Sequence, residues 1–213
     1  MGFSERKLED FRDKHTGELC LCCGLGESLK PYVKPIKKEE NLITFGVSDI
    51  NLLFTPTYQC FSEPFKPGTY DGFEDKVDDI YKTRCKNVFS VHPLPFNHTK
   101  PIKFPLVDMR EEPNIQVLFD AGKIPAVLKS LTSAIGLAIY MGFKYIYVIG
   151  FDMYGGRVVH PESNALHCVA KSLPIMNQYL TMMYLQAKDR GQYIYNLNPE
   201  SLITAFPFYR EEK

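Results

Sequence analysis

Residues 145–150, Tyr-Ile-Tyr-Val-Ile-Gly, restrict the fold of this 213-residue chain more than any other segment. The run is apolar or aromatic up to its final glycine, and three of its residues are β-branched. A strand with one solvated face alternates apolar and polar side chains, whereas a strand buried on both faces is continuously apolar. The run therefore predicts a central strand of a parallel sheet that helices cover.

Strand and helix signals alternate on either side of this run. Strands are predicted at residues 19–23, 41–47, 58–61, 87–91, 102–106 and 193–197, and helices at 4–15, 74–82, 125–142 and 175–191. Proline suits the first turn of a helix and glycine follows its last turn, which sets the limits of the 125–142 helix. The alternation predicts an α/β fold: a doubly wound, mostly parallel sheet with helices on both faces, of Rossmann-like type.

The length and the proline distribution indicate one domain. Compact domains commonly contain about 100–200 residues, so we expect a single domain over residues 1–213. Residues 64–113 are rich in proline and have few periodic runs. Proline clusters interrupt regular structure, which predicts a loop-rich middle of that domain.

Charge and hydropathy exclude several classes of protein. Lys and Arg together number 25, as do Asp and Glu, so the formal net charge is zero. This balance argues against a broad basic surface for nucleic acid or anionic lipid. No stretch reaches the ~18–20 apolar residues of a membrane span, and the charged first residues are unlike a secretion signal. We expect a cytoplasmic protein.

The cysteines and histidines do not form a recognisable metal-binding pattern. Cys20, Cys22 and Cys23 lie in the first predicted strand, where adjacent side chains point to opposite faces. Free cysteine packs as a small apolar side chain, and intracellular proteins seldom carry structural disulfides. The five histidines form no His-Glu-x-x-His motif. The sequence therefore predicts core thiols and no metal site.

Polar residues and glycines follow three predicted strands, at the edge where doubly wound sheets bind ligands. They are Gly24, Gly26 and Ser28, then Ser48 and Asp49, and then Asp152 and Tyr154. A strand followed by a glycine turn exposes backbone N–H groups to an anion. Asp152 has three interpretations: a ribose ligand, a metal ligand or a cap of the next loop.

Two further groups of side chains leave alternatives open. Thr132 and Ser133 interrupt an otherwise apolar helix, and they either bond to helix carbonyls or face a ligand. His160 and His167 lie between the central strand and the last helix. Each is either a general acid or base or a histidine of an exposed loop.

Several segments together resemble a known superfamily across nearly the whole chain and in the expected order. They are residues 11–17 with Gly-Leu-Gly-Glu-Ser-Leu at 24–29, Ile-Thr-Phe-Gly-Val-Ser-Asp at 43–49, Leu-Thr-Ser-Ala at 131–134, residues 141–152 and residues 195–201. The superfamily opens with a strand and a Gly-Asn-Gly-Pro-Ser-Leu turn. It contains the bacterial α-2,3/2,8-sialyltransferases, the 6-hydroxymethylpterin diphosphokinases and phage-borne proteins, of which the short phage-borne branch is the most similar.

The resemblance implies a metal-independent glycosyltransferase that takes a CMP-activated sugar as substrate and needs no cofactor. It implies that a hydroxyl acceptor is deprotonated by His167 and that Tyr154 holds the departing phosphate. The donor-binding residues that it implies are Gly24, Gly26, Ser28, Ser48, Asp49, Thr132, Ser133, Gly150 and Asp152.

The chain departs from the superfamily at Leu25, Glu27 and Ser48, where asparagine, proline and asparagine are usual. Leu25 removes a polar contact, and Glu27 places negative charge near a phosphate, which lowers affinity unless a cation offsets it. Two alternatives therefore stand beside the glycosyltransferase. One is an ATP- and Mg²⁺-dependent diphosphotransferase that uses Asp49, Glu63 and Asp152, and the other is a non-catalytic protein that binds nucleotides or nucleotide sugars.

Overall fold

The computed structural model describes residues 6–62, 84–91, 101–127, 130–154, 158 and 166–210, and the side chains of residues 166–171 lie outside the description. The strands in these ranges are β1 (Leu19–Cys23), β2 (Thr44–Val47), β3 (Tyr58–Phe61), β4 (Val88–Ser90), β5 (Ile102–Lys103), β6 (Leu106–Asp108), β7 (Ile124–Ala126), β8 (Tyr145–Ile149) and β9 (Tyr193–Asn196). The α-helices are α1 (Val33–Lys38), α2 (Ile115–Asp120), α3 (Ser130–Tyr140) and α4 (Leu166–Asp189). Short 3-10 helices occupy Leu8–Phe11, Glu27–Tyr32 and Ser48–Leu52.

Seven strands form one sheet in the order β5-β4-β3-β2-β1-β8-β9, and every described pair in it is parallel. Strands β6 and β7 pair separately, also in parallel. The chain runs outward from β1 to β5 on one side and then continues with β8 and β9 on the other. The strand order therefore reverses between β1 and β8, which makes the carboxyl ends of these two strands the topological switch point, where a ligand-binding crevice is expected.

Apolar clusters cover both faces of the sheet. Successive side chains of a strand point to opposite faces, so one strand contributes to both clusters. In β1, Cys20 and Cys22 belong to the larger apolar cluster, which also contains residues of α3 and α4. Leu21 and Cys23 belong to a second cluster, with residues from the segments between β1 and β3. No helix in the described ranges has both the length and the hydropathy that crossing a membrane requires.

The structure confirms the predicted doubly wound α/β fold. The bounds predicted for β1 and β3 are confirmed, and β8 ends one residue earlier than predicted. The predicted start of the helix at Pro125 is wrong, because Pro125 lies in β7 and α3 begins at Ser130. The pairing of β7 with the distant strand β6 is a tertiary contact that local periodicity does not encode. The helix predicted at 74–82 lies outside the described residues.

Candidate functional site

The glycine turn after β1 lies directly against the turn after β8, at the switch point of the sheet. The amide of Gly24 donates to the carbonyl of Ile149 at 2.8 Å, and the amide of Gly26 donates to the carbonyl of Gly150 at 2.9 Å. A β-carbon at Gly26 would lie 2.6 Å from the Oδ2 atom of Asp152, well inside normal contact distance. Glycine is required here because two backbones approach each other closely.

The carboxylate of Asp152 joins the two turns and is only 1% exposed. Its Oδ2 atom accepts a hydrogen bond from the amide of Ser28 at 2.8 Å. Its Oδ1 atom accepts a short hydrogen bond from the hydroxyl of Ser28 and another, at 2.9 Å, from the Nδ2 atom of Asn198. The Ser28 oxygen in turn accepts from the amide of Gly150 at 3.1 Å. One buried carboxylate therefore fastens together the loops that follow β1, β8 and β9.

Asn198 is a site residue that the sequence reasoning did not identify. It lies two residues beyond β9, and its Nδ2 atom also donates to the phenolic oxygen of Tyr154 at 3.0 Å. Its side-chain oxygen accepts from the amide of Glu200 at 3.0 Å. A signal was present in the sequence: Asn198 is a polar residue at the carboxyl end of a predicted strand, the criterion that selected Asp152.

A second group of polar residues follows β2, the neighbour of β1 in the sheet. Ser48 has a φ of +48°, a left-handed conformation that is uncommon outside glycine. Its carbonyl accepts a hydrogen bond at 2.7 Å from the Nε2 atom of Gln59, a fully buried residue of β3 that also donates to Asn51 at 3.0 Å. Asp49 is buried in the same 3-10 helix. Backbone strain of this kind is concentrated at functional sites in proteins.

The two adjacent hydroxyls of α3 have different environments. The Oγ1 atom of Thr132 accepts from the amide of Val127 at 2.8 Å and donates to the carbonyl of the same residue at 3.2 Å. Thr132 therefore joins the first turn of α3 to the end of β7. The Oγ atom of Ser133 is buried and has no hydrogen-bond partner among the described residues. Ser133 thus retains an unused donor in the helix whose Leu131 side chain lies beside Gly24.

The structure explains two of the departures from the superfamily pattern. Leu25 is buried in the second apolar cluster, so its side chain contributes to the core. The carboxylate of Glu27 is exposed and forms an ion pair with the ammonium group of Lys30 at 3.0 Å. The local cation that would offset the charge of Glu27 is therefore present one helical turn away.

The structure brings six sequence-predicted residues together at the switch point of the sheet: Gly24, Gly26, Ser28, Gly150, Asp152 and Tyr154. Ser48 and Asp49 lie at the same edge of the sheet, one strand away. His167 is in the first turn of α4. The side chain of His167, together with His160 and Glu63, falls outside the described residues.

The polar groups at the switch point are hydroxyls, a carboxylate, side-chain amides and backbone N–H groups. Hydroxyls and N–H groups bind anions such as phosphate, and a phenol can donate a proton to a leaving group. Among the described residues, no group of three or more His, Cys, Asp and Glu side chains can hold a metal ion. Burial raises the pKa of the Cys23 thiol, at the end of β1, well above its ordinary value, so this thiol is unsuited to act as a nucleophile.

No protein-family model matches the sequence, and no curated protein matches it. Solved structures do match. The sialyltransferase CstII from Campylobacter jejuni, in complex with the substrate analogue cytidine-5'-monophosphate, is similar with a TM-score of 0.53 and 14% identity over 91% of this chain and 85% of that one. The structure of CstII with a trisaccharide acceptor and CMP gives a TM-score of 0.53 and 15% identity over 90% and 85%. The chain therefore has the Rossmann-like α/β fold of these sialyltransferases.

Proposed function

We propose that this protein is a glycosyltransferase that transfers a sugar from a CMP-activated donor to a hydroxyl group of an acceptor. One observation carries the proposal: Tyr154, Asp152 and Ser28 converge with two glycine turns at the switch point of a fold shared with a CMP-bound sialyltransferase. In this fold class the switch point is where nucleotides bind. The proposal agrees with what the sequence resemblance implies.

The proposed reaction is a direct displacement at the anomeric carbon. His167 removes the proton of the acceptor hydroxyl, and the acceptor oxygen forms the new bond to the anomeric carbon. The bond from that carbon to the phosphate oxygen breaks, and its electron pair leaves with CMP. Tyr154 donates a hydrogen bond to the departing phosphate, together with backbone N–H groups other than those of Gly24, Gly26 and Ser28, which already donate within the protein. These hydrogen bonds stabilise the developing charge.

The proposal includes independence from divalent cations. A nucleotide monophosphate leaves as a stable anion, and hydrogen-bond donors can meet its charge without a metal ion. The carboxylate nearest the crevice, that of Asp152, already accepts three hydrogen bonds from Ser28 and Asn198. Most of its acceptor sites are therefore engaged within the protein, which supports a structural task for this side chain.

Nucleotide binding is the first test. Thermal unfolding is followed with CMP, CDP, UDP, GDP and ATP, each with excess Mg²⁺ and with EDTA. A ligand that binds the folded state at a concentration about 100 times its Kd stabilises by about 2.7 kcal/mol, which a thermal shift detects readily. We expect CMP to stabilise the protein in EDTA. Stabilisation by ATP with Mg²⁺ alone would instead identify the diphosphotransferase.

Catalysis is tested by the release of CMP from CMP-N-acetylneuraminate, with water as the acceptor. We expect release by the wild type and a loss of about 100-fold or more in His167→Ala, because a general base contributes ~10²–10⁴ to the rate. Tyr154→Phe should lose catalysis and retain CMP binding. The matched control is Tyr209→Phe, which alters an exposed tyrosine whose ring packs edge-to-face against Tyr147 and Tyr195 and not against the group of Ser28, Asp152 and Asn198. CMP binding without any release would favour the binding protein.

A further inference from the structure

The orientation of the Asn198 side chain is determined by its partners. A carboxylate accepts hydrogen bonds and a backbone amide donates them. The side-chain atom next to the Asp152 carboxylate must therefore be the nitrogen, at 2.9 Å, and the atom next to the amide of Glu200 must be the oxygen, at 3.0 Å. A flipped amide would place two acceptors together at one end and two donors at the other, so the contacts allow one orientation only.

This orientation determines the direction of the phenolic proton of Tyr154. The Nδ2 atom of Asn198 carries two hydrogens, one directed to Asp152 and the other to the phenolic oxygen at 3.0 Å. Because that oxygen accepts a hydrogen bond from Asn198, its own proton cannot point at the same nitrogen. The proton must therefore point to another acceptor. Tyr154 is partly exposed, so a ligand bound at this edge of the sheet can supply that acceptor.

We propose that Asn198 is a positioning residue that directs the phenolic proton of Tyr154 toward the leaving phosphate of the donor. The proposal rests on the proposed function, because it assigns the receiving group as the phosphate of a nucleotide sugar. Asp152 is the anchor of the arrangement. Its Oδ1 atom is shared by Ser28 and Asn198, which holds the asparagine amide against the loop that carries the tyrosine.

Asn198 also adds to the donor strength of the phenol. Hydrogen bonds in a chain polarise one another, so a phenolic oxygen that accepts from an amide is a better donor through its own proton. The carboxylate, the amide, the phenol and the phosphate would form such a chain. Removal of the amide therefore weakens the interaction made as charge develops on the leaving phosphate, while the nucleotide contacts of the glycine turn remain.

Two substitutions test the proposal by different means. Asn198→Ala removes the donor, and Asn198→Asp keeps the shape but presents an acceptor to the phenol, which turns the phenolic proton away from the crevice. We expect kcat for CMP release to fall about 10–100-fold in both, less than the ~10²–10³ that complete loss of a preorganised donor costs, because the phenol remains and is only misdirected. The Kd for CMP should change less than about threefold. If the two adjacent carboxylates of Asn198→Asp prevent folding, Asn198→Ala carries the test.

A double-mutant cycle separates positioning from a structural role. In the Tyr154→Phe background there is no phenolic proton to direct, so Asn198→Ala should cause little further loss in kcat. An equal fold-loss in both backgrounds would overturn the proposal. The matched control is Asn177→Asp. Asn177 lies in α4 and forms hydrogen bonds with Leu202 and Thr204, in the segment after β9 that also contains Asn198.

The outcomes also distinguish the failure of this proposal from the failure of the proposed function. If the wild type releases CMP and Asn198→Ala retains its kcat, the positioning role is wrong and the glycosyltransferase stands. If the wild type binds CMP but releases none from the sugar nucleotide, the proposed function is wrong and the positioning role is wrong with it. If Asn198→Ala lowers kcat only when Tyr154 is present, and not in Tyr154→Phe, the result supports both the positioning role and the glycosyltransferase.

Discussion

The backbones of Gly24 and Gly150 approach each other so closely that neither residue has room for a β-carbon. A β-carbon on Gly150 would lie 2.5 Å from the carbonyl oxygen of Gly24, and one on Gly24 would overlap the carbonyl oxygen of Gly150. The two residues follow β1 and β8, the pair of strands at which the sheet order reverses. The contact between the two turns of the candidate site therefore depends on two glycines that are 126 positions apart in the sequence.

Gly150→Ala is expected to be strongly destabilising. Gly150 has a φ of +72°, where a β-carbon alone costs ~1–2 kcal/mol, and the overlap with Gly24 adds ~1–3 kcal/mol. Gly191→Ala is the control, because Gly191 has a φ of +76° and its β-carbon would meet nothing within 4 Å. Urea unfolding should show a clearly larger loss for Gly150→Ala. Equal losses of unfolding free energy in the two variants would mean that the close approach of the two turns does not contribute to the cost of Gly150→Ala.

Adjacent hydroxyls of α3 should respond in opposite ways to removal. Thr132→Val leaves the buried amide of Val127 without its side-chain acceptor, which should cost about 1–3 kcal/mol of unfolding free energy. Ser133→Ala removes a buried hydroxyl that has no partner in the described part of the chain, so stability should be unchanged or slightly higher. Chemical denaturation of the two variants measures both. A loss of unfolding free energy in Ser133→Ala as large as that in Thr132→Val would show that the Ser133 hydroxyl has a structural partner.

The stability of the protein should fall at high pH through Tyr58. Burial raises the pKa of this phenol to about 12, above its ordinary value of about 10 in an unfolded chain. Between these values the unfolded chain loses the proton and the folded chain keeps it, so the unfolded state binds fewer protons and stability falls as pH rises. The contribution is complete below about pH 10 and is lost as the pH passes through about 12.

Unfolding in urea at about pH 9 and about pH 11 tests this prediction in wild type and in Tyr58→Phe. The wild type should lose on the order of 1 kcal/mol more than the variant over that interval. Tyr209→Phe, which alters an exposed tyrosine, should behave as the wild type does. The same pH dependence in wild type and Tyr58→Phe would assign the loss to other groups.

The five cysteines whose side chains the structure describes should be unreactive toward thiol reagents in the folded protein. Burial raises the pKa of Cys22, Cys23 and Cys60 well above its ordinary value, and that of Cys85 to about 11. The thiolate is the nucleophile, so raised pKa and burial together suppress reaction. With an aromatic disulfide reagent at about pH 8, the thiols of Cys20, Cys22, Cys23, Cys60 and Cys85 should react only after denaturation. Reaction of more than one thiol in the native protein would contradict the prediction.

Much of the fold follows from local patterns. The apolar runs at β1 and β8 identified these strands because a strand buried on both faces has a composition that no exposed segment shares. The position of β7 was missed for the opposite reason. Ile124, Pro125 and Ala126 form a strand only because Leu106–Asp108 pairs with them, and that pairing joins segments too far apart for periodicity to register.

The candidate site was predicted as a set of positions and completed by its contacts. The rule that ligands bind at the carboxyl ends of strands selected Gly24, Ser28, Asp152 and Tyr154, and the resemblance implied Gly150; the structure brings these residues together. The hydrogen bonds among these residues could not be predicted from the sequence. Asp152 had three interpretations in the sequence, and its buried hydrogen bonds to Ser28 and Asn198 show that it ties three loops together.

The sequence by itself determined the class of fold and the edge of the sheet where chemistry is expected, because hydrophobic patterning and turn residues act over short distances along the chain. Only the tertiary structure decided which of those polar groups face one another. Ser28, Asp152 and Asn198 come from three separate loops, and their hydrogen bonds form because the order β1-β8-β9 places the ends of those strands side by side. Strand order is a property of the packed sheet, and no single segment encodes it.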